Sequence, residues 1–309
     1  MERLINLRNG DLSATVDLSA GASCISFRDK RYGAVILREP DRERGMDNPF
    51  LYGIPLLYPV NRISGGSFEF ESRRYVYPIN EPRTGCHLHG DLHSAVFTLI
   101  ESTENTMGAC YVSEAREGFP HRFRVETRYE LNESSLIHRV SVTNLSDMRM
   151  PHFIGFHTTF NVPFIEGGRA EDVRILCQIG DEIERDMSVY LPTGKILPTD
   201  KVTELLRAGE YAPLSEGALS RHYKALGEGL MEIIDVAKGL RLHYDIDSAL
   251  GFRLLYNGGA KEFICLEPQS CMANCQNAPF DRRFSGFDFI EPGESKEYTM
   301  KIYITEDEK

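Results

Sequence analysis

The chain has 309 residues, 41% hydrophobic and 26% charged, an ordinary globular composition with length enough to bury a core. Its 35 Lys and Arg stand against 46 Asp and Glu, and the formal charge of −11 argues against a protein that grips a nucleic-acid phosphate backbone. No apolar run approaches the ~18–20 residues that cross a bilayer, and the opening MERLINLRNGDL lacks the apolar stretch of a secretory signal. The seven cysteines, Cys24, Cys86, Cys110, Cys177, Cys265, Cys271 and Cys275, are odd in number and scattered, which reads as free thiols in a reducing compartment. The expectation is a soluble cytoplasmic protein that binds neither nucleic acid nor membrane.

Taken in chain order, the predicted elements are almost all strands. After an Asn9-Gly10-Asp11 turn, Leu12, Ala14, Val16 and Leu18 alternate with Ser13, Thr15, Asp17 and Ser19. Ser64-Gly65-Gly66-Ser67 reads as a hairpin turn. It is not a phosphate cradle, because neither a G-x-x-x-x-G-K-S/T loop nor a G-x-G-x-x-G opening a helix occurs. Phe123, Val125, Thr127, Tyr129 and Leu131 alternate with Arg124, Glu126, Arg128 and Glu130, and the rhythm repeats at Leu136–Val142. Lys201–Ala208 is weakly helical and too short to change the class. Alternation returns at Leu240–Ile246 and Tyr298–Ile304, with turn signals at Asn257-Gly258-Gly259 and Pro292-Gly293-Glu294. Period 2 puts one set of side chains on a core and the other in water, as antiparallel sheets do. With strands toward both ends, no helical block and no repeat, the pattern predicts an all-β protein. The expected form is one large antiparallel β-sandwich over residues 1–309, with a concave face for a small ligand.

Four places could carry chemistry. In Cys86-His87-Leu88-His89-Gly90-Asp91-Leu92-His93, a strand would point His87 and His89 to one face, an arrangement that suits a metal. Gly90 and Asp91 suggest that the strand ends there, so a sugar- or anion-binding histidine and plain structural histidines are the alternatives. Cys271-Met272-Ala273-Asn274-Cys275 has three residues between its thiols and no second pair, which reads as core or loop thiols. His157 sits in an aromatic and β-branched run, where a hydrogen-bonded structural histidine is the plain reading. Glu267 ends the apolar run Phe263-Ile264-Cys265-Leu266. A carboxylate there needs a partner or a task, so Glu267 with one or two histidines makes a candidate base and acid.

Further segments carry a resemblance. Asn61-Arg62-Ile63, Gly66-Ser67-Phe68, Tyr75, Ile79-Asn80 and Leu88-His89-Gly90 stand in order in the first part of the chain. His157-Thr158-Thr159-Phe160-Asn161, Pro192-Thr193-Gly194, Tyr256-Asn257-Gly258 and Leu266-Glu267-Pro268-Gln269 follow. Their order and spacing resemble the aldose 1-epimerase (galactose mutarotase) family. The resemblance implies a β-supersandwich, interconversion of the α and β anomers of an aldose, a monosaccharide substrate and no cofactor. Position by position it makes Glu267 the general base and His157 the general acid. His89, in the same catalytic set, and Arg62 match residues that hold the sugar. His87 matches no catalytic position, which further weakens the metal reading.

The chain also departs from the pattern. Arg221, in Leu219-Ser220-Arg221-His222-Tyr223, falls where the family has a sugar-binding Asp. An arginine in the pocket would favour a uronate or a sugar phosphate, unless it faces solvent or pairs with a neighbour such as Glu216. Gly53-Ile54-Pro55-Leu56-Leu57-Tyr58-Pro59 is similar to the hexose-6-phosphate branch of the same superfamily. With no Trp in the chain, Phe160 and Tyr256 are the candidates to stack on a sugar. A non-catalytic carbohydrate-binding protein with this fold is the alternative to an isomerase, and a metal-dependent sugar enzyme using the His87–His93 cluster is a third.

Overall fold

Strands form where the alternating runs predict them. The computed structural model describes residues 3–41, 45, 47–215, 217–227 and 229–307. Phe123–Leu131 turns Phe123, Val125, Thr127, Tyr129 and Leu131 inward and pairs antiparallel with Ser135–Asn144, from Phe123↔Asn144 to Leu131↔Leu136. Gly10 and Asp11 form the two-residue loop of the hairpin between Leu4–Asn9 and Leu12–Asp17, with Asn9 opposite Leu12. The predicted short helix is Lys201–Ala208. The Asp200 carboxylate caps it by accepting the Thr203 N–H at 2.9 Å, and Gly209 ends it in the left-handed conformation.

Two eight-stranded sheets make up a large β-sandwich. The first runs Thr98–Ser102, Thr106–Ser113, Phe123–Leu131, Ser135–Asn144, Ser295–Glu306, Leu240–Ile246, Met231–Asp235 and Val173–Cys177. Most of its strands bury one face, Val125, Val140 and Leu242 among the residues turned inward. Each such side chain contributes roughly 1.5–3 kcal/mol on burial. The path through the second sheet is Leu191–Leu197, Ile179–Asp186, Ser220–Ala225, Phe252–Tyr256, Phe263–Gln269, Gly155–Phe156 and Leu56–Leu57, with Thr158–Asn161 also paired to Phe263–Gln269. Its strand Phe263–Gln269 is buried at every position. One face of that strand packs in the core shared with the first sheet, and the other forms the floor of a cavity.

One turn differs from expectation. Gly65 and Gly66 both take positive φ, and the Gly66 N–H donates to the Ile63 carbonyl at 3.0 Å. The strands on either side do not pair with each other, however. Arg62–Ser64 pairs with Cys86–Leu88, whereas Ser67–Phe70 pairs with Arg73–Val76. The turn therefore passes the chain between two ribbons instead of closing a hairpin. Glycine is needed at 66, where a Cβ would lie 2.4 Å from the Tyr77 carbonyl oxygen.

Candidate active site

Strand register brings the two chemically distinctive residues together. Thr158 lies opposite Leu266 and Thr159 opposite Cys265, so His157 falls beside Glu267 on the same face of the second sheet. They line a cavity of about 640 Å³, within the range of small-molecule sites, together with His89, Arg62, Arg185 and Tyr256.

Glu267 is 1% exposed. Its Oε2 accepts from Gln269 Nε2 at 3.2 Å, and Gln269 Oε1 in turn accepts from Asn61 Nδ2 at 3.1 Å. Its Oε1 has no hydrogen bond and lies 3.2 Å from His157 Nε2. Burial raises the carboxyl to about 8, against the lowering effects of the Gln269 amide and of Arg185 and Arg62. His157 is fixed through its backbone, whose N–H donates to the Pro55 carbonyl at 3.0 Å, and burial lowers its imidazole to about 4. Across neutral pH the pair therefore holds one proton between two atoms in near contact.

His89 adds a neutral donor. It follows Cys86–Leu88 with φ at 62°, and its Nδ1 accepts the Asn61 backbone N–H at 3.3 Å. That bond leaves the ring hydrogen on Nε2. Burial holds His89 well below the usual histidine range, so it donates without charge. Phe50 packs on its ring at 4.7 Å and His157 meets it edge-on at 5.7 Å. Asn61 and Tyr190, at φ of 61° and 60°, also hold left-handed backbone beside the cavity, and such conformations cluster at functional sites.

The same-face arrangement of His87 and His89, one reading of the cluster, does not form. The strand ends at Leu88 and the backbone reverses at His89, so His87 leaves the cavity, bonds the Pro78 carbonyl at 2.8 Å and packs on Tyr77. His93 sits against Phe50 at 4.6 Å. Among the described residues no group of three His, Cys, Asp or Glu side chains could hold a metal ion. Cys271 and Cys275 are buried and free, away from the cavity. Phe160 is a correction too: opposite Ile264 in register, it packs on Tyr244 in the core and cannot reach a sugar, whereas Tyr256 lines the cavity.

The arginines divide by what answers their charge. Arg62 forks onto Glu81, Nε to Oε2 and Nη2 to Oε1, both at 2.7 Å, and lies over the Tyr190 ring. Arg221 reaches the cavity wall with its guanidinium committed to two carboxylates, Glu182 at 2.7 Å and Asp200 at 2.7 Å. Glu216, the partner named from the sequence, lies outside the described residues. Sequence patterning did not single out Phe50, Glu81, Tyr190 or Arg185, and saw Asn61 and Gln269 only as parts of motifs. Arg185 had a readable signal, since it occupies an inward position of the strand that buries Ile179 and Ile183.

A family model described as "Aldose 1-epimerase" matches residues 3–303. The fold superposes with a TM-score of 0.92 on a galactose mutarotase-like protein from Clostridium acetobutylicum that is 30% identical, covering 98% of this chain and 95% of that one. A galactose 1-epimerase from Lactobacillus acidophilus NCFM shares the fold alone, at a TM-score of 0.77 and 18% identity over 99% of this chain and 95% of that one. The plasmid-encoded LacX protein of Lactococcus lactis subsp. lactis is 37% identical over 198 residues, 59% of this chain. The chromosomal LacX protein is 28% identical over 199 residues, and in each case the match spans 62% of the LacX length.

Proposed function

The chain belongs to the aldose 1-epimerase family, and on that premise we propose that it interconverts the α and β anomers of an aldose by acid–base ring opening in this cavity. The observation that carries the reading is the one-proton pair, Glu267 and His157, both buried and 3.2 Å apart on the wall of the cavity. Glu267 as carboxylate takes the proton of the anomeric hydroxyl while His157 as imidazolium protonates the ring oxygen. The C1–O5 bond breaks and the sugar becomes an open aldehyde, leaving Glu267 protonated and His157 neutral. That product state is the one burial favours in the free protein, with the carboxyl raised and the imidazole lowered. Rotation about the bond to the aldehyde exposes its other face, and ring closure runs the two transfers in reverse. Protons balance within the pair, so the reaction so written consumes no co-reactant.

The remaining residues hold the parts in place. His89 donates from Nε2 to a sugar oxygen, and Arg62, pinned by Glu81, offers the nitrogen its carboxylate partner leaves over. Asn61 acts twice: its side chain orients the base through Gln269, and its backbone N–H sets the tautomer of His89. The test is NMR of anomer exchange over a panel of aldoses. Exchange above the spontaneous rate supports the reading, and sugar binding without exchange sinks it in favour of a carbohydrate-binding protein.

A further inference from the structure

Among the described residues, no carboxylate pairs with the charge of Arg185. Arg185 is 9% exposed and lines the cavity with Glu267 and His157. Only one guanidinium nitrogen is engaged: Nη2 donates to the Ser220 carbonyl at 2.6 Å and to Ser220 Oγ at 3.2 Å. Among the described residues no carboxylate lies within ion-pairing distance, and Glu182 and Glu267 act on it only through space. Burial lowers it to about 10, so it stays charged at neutral pH. A buried charge left without a partner is destabilising.

The other arginines serve as internal controls. Arg253, 1% exposed, gives Nη1 to the Leu250 and Phe252 carbonyls and Nη2 to the Gly229 carbonyl, and does not line this cavity. Three backbone carbonyls answer its two Nη nitrogens, although its buried Nε has no hydrogen-bond partner. Arg62 and Arg221 have carboxylate partners. Arg185 alone of these is both buried at the cavity and left with Nε and Nη1 uncommitted. Arg83, also on the cavity wall, adds a second cation whose bond is to the Ser188 carbonyl at 3.4 Å. Arg83 is exposed and acts through space on Glu81, so the buried, uncommitted charge on this wall is that of Arg185.

We infer that Arg185 is the anion-recognition point of this cavity and that the substrate is an aldose bearing a carboxylate or phosphate group. The inference rests on the proposed anomer exchange and moves the anion preference from Arg221, whose fork is spent, to a residue whose fork is open. Guanidinium binds carboxylate and phosphate through the same paired N–H donors, so both sources are tested.

The experiment compares kcat/KM for anomer exchange of glucuronate, galacturonate and glucose 6-phosphate with that of glucose and galactose, in wild type and Arg185→Gln. The expected result is at least a tenfold preference for one anionic class in wild type, with the anionic-to-neutral ratio falling at least tenfold in the variant. The uronate and phosphate arms identify which group is read. Equal or better turnover of neutral sugars by wild type overturns the inference without any variant, and so does a ratio unchanged in Arg185→Gln. If Arg185→Gln does not fold, Arg185→Lys keeps the charge without the fork and should lower the ratio at least threefold; an unchanged ratio overturns it. If wild type exchanges no sugar, the acid–base reading has failed instead. Ligand-observed NMR binding of glucuronate and glucose 6-phosphate against glucose, in the same proteins and on the same criterion, then decides the subsite.

Discussion

Replacing Glu267 by glutamine should remove activity and add stability, and the two effects share one cause. The amide keeps the shape of the side chain and can still accept from Gln269, but it cannot take the anomeric proton. A positioned base is worth ~10²–10⁴ in rate, or about 3–5 kcal/mol of barrier. The stability effect follows from a carboxyl that burial holds at about 8 against an ordinary 4.5. The folded protein keeps this proton after the unfolded chain has released it, so stability falls as pH rises from 4.5 to 8 and is level above. At ~1.4 kcal/mol per pH unit, Glu267 costs about 2 kcal/mol at pH 6 and about 5 kcal/mol at pH 9. A neutral amide in its place carries no such penalty. The variant should therefore gain about 3 kcal/mol more over wild type at pH 9 than at pH 6, measured by denaturant unfolding at both values, with anomer exchange followed by NMR at pH 7. Exchange within a few-fold of wild type rules out Glu267 as the base. An equal stability difference at the two pH values refutes the burial argument.

Three further outcomes test the rest of the site. The pH profile of kcat/KM should be bell-shaped with limbs near 4 and 8, because the pair is active only with one proton and loses it above about 8 or gains a second below about 4; a rate still climbing beyond the upper limb would show His157 working as neutral imidazole. His157→Ala should lower kcat ~10²-fold or more while His87→Ala, which removes a side chain outside the cavity, should leave it within a few-fold, and steady-state rates of the two variants decide. Gln269→Ala frees the carboxylate that Asn61 and Gln269 orient, so kcat should fall about tenfold or more with the upper pH limb displaced upward, since the lost amide stabilised the ionised form; a change in KM alone would reduce Gln269 to a packing role.

What could be read locally was read correctly where backbone geometry is a local matter. The inward set of Phe123–Leu131 and the helix Lys201–Ala208 follow from period, cap and end signals carried by adjacent residues. Glu267 could be flagged because a carboxylate in a wholly apolar run conflicts with its neighbours. His157, His89 and Arg62, which the family resemblance singled out, all line the cavity. The hairpin reading of Ser64–Ser67 failed because turn residues specify the turn, not the partners of the strands beyond it. Phe160 failed as a stacking residue because its face is set by register with Ile264, which local alternation cannot assign.

The sequence by itself determined the class of the fold, since alternation needs only successive Cβ atoms pointing to opposite sides, and it exposed one residue out of keeping with its surroundings. Only the tertiary structure decided what those residues can do. The contact of His157 with Glu267, the two carboxylates that absorb Arg221's charge and the bonding of Arg185 to Ser220 all join segments well separated in the chain. Proton affinity and charge balance depend on burial and on neighbours a few ångströms away, and in a sheet those neighbours are fixed by strand order and register rather than by proximity along the chain.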